Sequence, residues 1–274
     1  MKYMQFEYEV VDLGESKYLF EPSNGPVNYP ARMAGMWDTF VDSGEVAFDV
    51  AYYTELLKAA DVKSPGRTLE IGCRTGSFAV QLADANHKVL SIDPCEAMLD
   101  ILRNKKRNES LLQIEHTDFD TFETSERFSG IVTFHIIPFF LEMEYVVNFL
   151  AKARRLLQKN GIFLLAVNDP LPLWDSSGWS LTYTQQLAHG FARCEHFFEP
   201  VNARKRIVRA SDYRAVFTQT ENTSEMYTKL VRFYTVEEYK YMLNLAGFNT
   251  ITVNKSNLPV PQTDDAKLYI SATK

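Results

Sequence analysis

Cysteine is scarce: Cys73, Cys95 and Cys194 are the only three in 274 residues, far apart and free of any CxxC spacing. That excludes a disulfide framework and a thiolate zinc site, and it points to a reducing compartment. Long apolar runs are missing as well. No stretch approaches the ~20 apolar residues that cross a bilayer, and Met1 to Glu15 carries acidic residues where a signal peptide would be apolar, so a cytoplasmic protein with no membrane partner is expected. A basic surplus is also lacking. The formal net charge of −6 repels a phosphate backbone at long range, which argues against a nucleic-acid partner. The densest basic stretches run from Arg103 to Arg107 and from Arg204 to Arg209; the first reads as the solvated last turn of a helix. Histidines and acids are not clustered at ligand spacing, so no metal is expected.

What is present is apolar residue enough, 46%, for one large core with an elaboration. The first forty residues are poorly patterned, with a short helix or lid over Ala31 to Val41; residues 1–44 read as an N-terminal extension. From Glu45 to Ala60, Val46, Val50, Tyr53, Leu56, Leu57 and Ala60 recur at helical spacing. Strands are then expected at Thr68–Ile71, Lys88–Ile92, Leu112–His116, Ile131–Ile136 and Gly161–Val167, and helices at Ser77–Asn86, Glu96–Lys106 and Glu144–Leu157. That alternation is the mark of a parallel sheet with right-handed crossovers. The rhythm breaks at 169–230, where Val216–Thr220 and Met226–Arg232 look like antiparallel strands of an insertion. Thr235 and Glu238 then make a capping-box pattern for a helix that Gly247 ends, and strands at Phe248–Val253 and Lys267–Thr273 complete the sheet.

The informative segment is Leu69-Glu70-Ile71-Gly72-Cys73-Arg74-Thr75-Gly76, between a strand and a helix. Glycines there allow a tight turn and close approach of a ligand to backbone, and the helix N-terminus offers free N–H groups. Ile92-Asp93-Pro94 follows about twenty residues on, at the tip of the next strand, where an acid accepts hydrogen bonds from ribose hydroxyls. Asp93 can equally serve as a helix N-cap. A dinucleotide fingerprint is not met, because Gly72 and Gly76 are two glycines at the wrong spacing, and no Gly-Lys-Ser or Gly-Lys-Thr makes a phosphate loop.

With these motifs in this order, the chain resembles the class I S-adenosylmethionine-dependent methyltransferases, strongly over Asp49 to Ala166 and more weakly through Tyr234–Tyr239 and Leu245–Phe248. The resemblance implies an α/β, Rossmann-like fold: a seven-stranded, mostly parallel sheet with the final strand antiparallel, helices on both faces, and a substrate-binding or lid insertion after the fifth strand. Residues 45–168 and 231–274 would form the cofactor domain and 169–230 the substrate insertion. It further implies that Glu70, Gly72, Cys73 and Gly76 border the methionine end, that Asp93 holds the ribose, and that Pro94, Met98, Asp118 and Phe119 lie at the adenine. His135 and Ile136 would face the methionine end.

Two positions depart from the family. Arg74 stands where glycine is usual, with its side chain expected in solvent or paired with an acid such as Glu70, and Ser129 stands where an Asp is usual. Methyl transfer from a sulfonium is an in-line displacement that rests mainly on positioning. His135, Asp169 and His196 are the candidate bases, and His189 could also reach over the crevice. Tyr29, Trp37, Trp174, Trp179 and Tyr183 are candidate acceptor contacts, suited to an aromatic or secondary-metabolite acceptor methylated on N, O or C. The insertion's aromatics could instead form its own core or a homodimer contact. Two other readings stand beside transfer: a cyclising or pericyclic enzyme that binds the cofactor without spending its methyl, and a binding module without turnover.

Overall fold

The computed structural model describes residues 31–60, 66–106, 110–168, 178–219, 222–256 and 267–274. The chain opens with helix α1 (Ala31–Met36), a 3-10 turn (Trp37–Phe40) and α2 (Ser43–Ala59), which Asp42 caps by accepting from the Gly44 and Glu45 amides. Strand and helix then alternate: β1 (Arg67–Ile71), α3 (Ser77–Asp84), β2 (Lys88–Asp93), α4 (Glu96–Lys105), β3 (Leu112–His116), β4 (Phe128–Phe134), α5 (Met143–Leu156) and β5 (Leu157–Asn168). Four long strands follow, β6 (Gly178–Leu187), β7 (Gly190–Asn202), β8 (Ile207–Thr218) and β9 (Asn222–Arg232), then α6 (Val236–Leu245), β10 (Ile251–Lys255) and β11 (Lys267–Thr273).

Seven strands form one sheet in the order β3-β2-β1-β4-β5-β11-β10. The five strands from β3 to β5 are parallel, and β11 runs antiparallel to both β5 and β10. Central strands are apolar on both sides because both faces are covered. Phe163, Leu165, Leu69 and Ile131 pack toward α5 and α6, while Leu164, Ala166 and Val132 pack toward α2 and α3. The expected architecture is therefore the observed one, including the antiparallel last strand. The capping box at α6 forms in full, Thr235 and Glu238 each serving the other's backbone amide.

The elements differ from expectation at their edges. β4 begins at Phe128 and ends at Phe134, because His135 leaves the strand with φ +56°. Of the segment Val216–Thr220, Val216 to Thr218 ends the twelve-residue β8 and Thr220 lies outside the described residues, while Met226–Arg232 belongs to the eleven-residue β9. Together β6-β7-β8-β9 make a second, wholly antiparallel sheet. Local polarity patterns under-read these strands, since one sheet face carries charges that interrupt the alternation.

Candidate active site

The crevice lies over the carboxyl ends of β1, β2, β4 and β5, where ligands collect in open α/β sheets. Its centre is the turn after β1. Gly72 has φ +72°, and a Cβ there would stand 1.8 Å from Ile136 Cδ1, so only glycine fits. The turn is tied to β2, with the Gly72 and Cys73 amides donating to Ile92 O at 2.8 and 3.1 Å. Asp93 completes it, one carboxylate oxygen accepting from the Arg74 amide and the other from the Cys95 amide, each at 2.8 Å. The N-cap of α4 is Cys95 and not Asp93, whose carboxylate instead ties the turn to the residue before the helix; its remaining lone pairs are left for a ligand. Burial raises its pKa against the pull of those two amides.

Two lobes share Gly72, Arg74 and Phe139 as common wall. The smaller, of about 660 Å³ including space open to solvent, is lined by Asp93, Pro94, Asp118, Phe119, Ile136 and Tyr145 among others. Asp118 accepts from the Asp120 amide at 2.9 Å, so the loop is also an Asx turn, and the Phe119 ring is backed by Phe149. The larger lobe, of about 1750 Å³ on the same measure, opens between the turn and the second sheet. It is lined by Glu70, Gly72, Cys73 and His135 on one side and by His196, Phe198, Asp212, Arg214 and Lys229 on the other. Trp37 closes one end, and Asp42, Glu45, Asp49 and Lys267 line it too.

Several expected contacts fall elsewhere. Met98 is fully buried with Met33, Ala34 and Cys95 and does not line the crevice, because its face of α4 packs under α1. Gly76 caps α3 in the left-handed conformation against Leu102 and is also off the wall. Arg74 neither points into solvent nor hydrogen-bonds Glu70; it donates to Phe134 O at 3.3 Å and lies over Trp37. Glu70 accepts instead from Ser91 at 3.0 Å. Ser129 donates to Arg67 O and holds the start of β4. His189 stands exposed in the turn between β6 and β7, away from the crevice. Tyr29, Asp169 and Trp174 lie outside the described residues, as do the side chains of Trp179 and Tyr183 in β6.

Residues that composition and spacing did not single out dominate the larger lobe. Lys267, at the start of β11, is nearly inaccessible and donates to Asp49 at 2.7 Å and to Glu45 at 2.7 Å, while Tyr269 donates to Asp49 at 2.6 Å. The only sequence signal was Asp49 itself, an acid on the apolar stripe of α2 between Val46, Val50 and Tyr53. Across the lobe His196 pairs with Asp212, which Lys229 also binds at 2.5 Å.

The two histidines are driven to opposite states. Burial and the cations Lys267, Arg74 and Lys229 push His135 well below the usual range, so its ring stays neutral and resists a proton. Burial would also lower His196, but the charge and hydrogen bond of Asp212 outweigh it and lift the imidazole to about 9. The raised value stabilises the fold fully below the ordinary 6.5 and is lost as pH rises through about 9. His196→Gln is therefore expected to flatten the fall in stability over that interval, a difference on the order of 2 kcal/mol by denaturant titration at pH 6 and pH 9.5. Equal pH slopes for the two proteins would refute the pairing.

A glycine turn and a strand-end acid below a crevice, on an open parallel sheet, is the arrangement at which α/β proteins collect nucleotide-like ligands. Residues 69–165 match the methyltransferase domain family. An uncharacterised methyltransferase of Bacillus mycoides (strain KBAB4) is 30% identical over 135 residues, 48% of this chain and 62% of that protein, so the chain matches less than two thirds of that relative's length. Among solved structures, an amino pentose methyltransferase of calicheamicin biosynthesis from Micromonospora echinaspora, with S-adenosylmethionine bound, superposes with a TM-score of 0.68 at 16% identity, over 92% of this chain and 99% of that one. A sugar N-methyltransferase from Streptoalloteichus gives 0.66 at 12% identity, over 92% and 95%. Residues 69–165 are thus similar to a methyltransferase domain, and the chain shares its Rossmann-like fold with those solved methyltransferases.

Proposed function

We propose that the protein transfers a methyl group from S-adenosylmethionine to a nitrogen of a small amine held between the glycine turn and the second sheet. The residues fit the cofactor: Gly72 leaves a cradle that a Cβ would fill, and Asp93 has unused acceptor capacity at the expected ribose position. In this reading Pro94, Asp118 and Phe119 hold the adenine, and Glu70, Cys73 and the His135 backbone border the methionine end. The bound cofactor supplies an electrophilic methyl on a cationic sulfur. An attacking nitrogen needs only its free lone pair in line with that methyl, and the protein's part is to hold it there.

The observation that carries the choice of nitrogen is the state of the two histidines. An oxygen or carbon acceptor asks for a base at the reacting atom, whereas burial, together with three nearby cations, leaves His135 a weak base and His196 is already protonated. An amine requires no such group once it arrives as free base, and cations nearby favour that form. The fold neighbours named for an amino pentose and a sugar nitrogen support the same reading. The test is release of S-adenosylhomocysteine with matched amines and phenols, followed by mass spectrometry. N-methyl product in step with release supports the proposal. Preferential O- or C-methylation, or product without release, overturns it.

Glu70 gives a second measurable consequence. Burial lifts its carboxyl to about 8, so it is protonated near neutrality in the empty crevice. The cationic methionine end of the cofactor favours the ionised form, so binding releases a proton and affinity rises with pH up to about 8. Calorimetry in buffers of different ionisation heat is expected to show this release in the wild type and not in Glu70→Gln.

A further inference from the structure

Arg74 stands where glycine is usual in the methyltransferases this chain resembles, and its charge is one of the three that act on His135. Its guanidinium lies 5.0 Å from the centroid of Trp37, and Arg214 of β8 lies over the same ring at 4.3 Å and over Phe40 at 5.2 Å. Trp37 is held in place because its neighbour Asp38 accepts from Thr75 at 2.7 Å and pairs with Lys105 at 2.7 Å. Among the described residues neither arginine forms an ion pair, although Glu225 stands opposite Arg214 in the β8–β9 register. The Arg214 Nε is buried and has no hydrogen-bond partner.

Alternation along β7, β8 and β9 sets His196, Asp212, Arg214 and Lys229 on one face of the second sheet, toward the larger lobe. With Arg74 across from them, four cations surround one carboxylate. Ring contacts offset only part of the cost of withdrawing a guanidinium from water, about 0.5–2 kcal/mol each. A planar fork with unmet donors is the partner a carboxylate or phosphate takes in two-point fashion. The opposite wall carries Asp42, Glu45 and Asp49, with Lys267 among them.

We infer that the acceptor carries an oxyanion, a carboxylate or a phosphate, seated by Arg214 and Arg74 beside Trp37. That the same acceptor also carries an amine rests on the nitrogen reading proposed above; the oxyanion does not. Three of the four cations come from β7–β9, outside the matched segment 69–165, which assigns the seat to the acceptor and not to the cofactor's own carboxylate.

The experiment is calorimetry on protein saturated with S-adenosylhomocysteine, with 4-methylbenzoate and benzyl phosphate as oxyanions lacking an amine, and 4-methylbenzamide and benzyl alcohol as neutral counterparts. At least one anion is expected to bind about tenfold tighter than its neutral counterpart, a difference of ~1.4 kcal/mol. Arg214→Gln should erase the difference, Arg214→Lys should restore part of it, and affinity for S-adenosylhomocysteine should stay within about twofold of wild type. Arg74→Gly serves as an independent variant if Arg214→Gln does not fold, because the left-handed φ of +53° at Arg74 suits glycine; it should shrink the same preference. Equal binding of anion and neutral partner, or no anion binding up to about 10 mM, overturns the inference. So does a loss of S-adenosylhomocysteine affinity in Arg214→Gln, which would give the seat to the cofactor. Benzylamine turnover, measured separately, tests the nitrogen reading alone.

Discussion

Asp93→Ala is expected to loosen S-adenosylhomocysteine by about a hundredfold or more, since a site built to accept from hydroxyls loses both that acceptor and its own order. The carboxylate holds the Arg74 and Cys95 amides, one on each oxygen, so the turn after β1 and the start of α4 are joined through it. Removing it strands two N–H groups in a buried place, which costs about 1–3 kcal/mol each when unsatisfied. Fold damage and lost ribose contact are separated by a second ligand, S-adenosylhomocysteine lacking the 2′ and 3′ hydroxyls. Wild type and variant should bind that ligand with similar affinity if the hydroxyls are what Asp93 reads. A variant that binds the intact ligand within about threefold of wild type would remove the ribose assignment altogether.

Lys267→Met should be the most damaging single change to stability, about 3–5 kcal/mol near neutral pH. The lysine is almost fully buried and satisfies Asp49 and Glu45 together, with Tyr269 adding a further hydrogen bond to Asp49. Without it Asp49 is a buried charge with no counter-ion. Burial already raises the Asp49 pKa despite the lysine, so the carboxyl can escape by taking a proton, and the penalty should shrink as pH falls. Asp49→Asn combined with Lys267→Met should recover much of the loss, because an unpaired charge costs more than a missing pair. Denaturant titrations of the four proteins at pH 5 and pH 8 measure this. A Lys267→Met protein within about 1 kcal/mol of wild type at the higher pH would show that the pair is not structural.

The sheet and the turn after β1 were legible because their signals are local. Gly72 and Asp93 each sit at a strand tip, and their meaning follows from a strand–turn–helix pattern about twenty residues long. The wall of the larger lobe on the second sheet was not legible, for the opposite reason. Trp37, Arg74 and Arg214 meet through three elements remote in sequence, and nothing in the neighbours of Arg214 marks it as facing a crevice. Lys267 reads locally as an ordinary strand-end lysine; its burial depends on α2, which precedes it by more than two hundred residues. His196 was singled out as a titrating side chain, but the pairing with Asp212 that removes it from base chemistry is a cross-strand fact.

The pairing of β11 with β5 bears on synthesis. Leu157–Asn168 waits for Lys267–Thr273 through roughly a hundred residues, during which the whole second sheet is made. A chain emerging from the ribosome therefore presents β5 with one bare edge, and the acidic wall of the crevice without its lysine, until nearly everything else has folded.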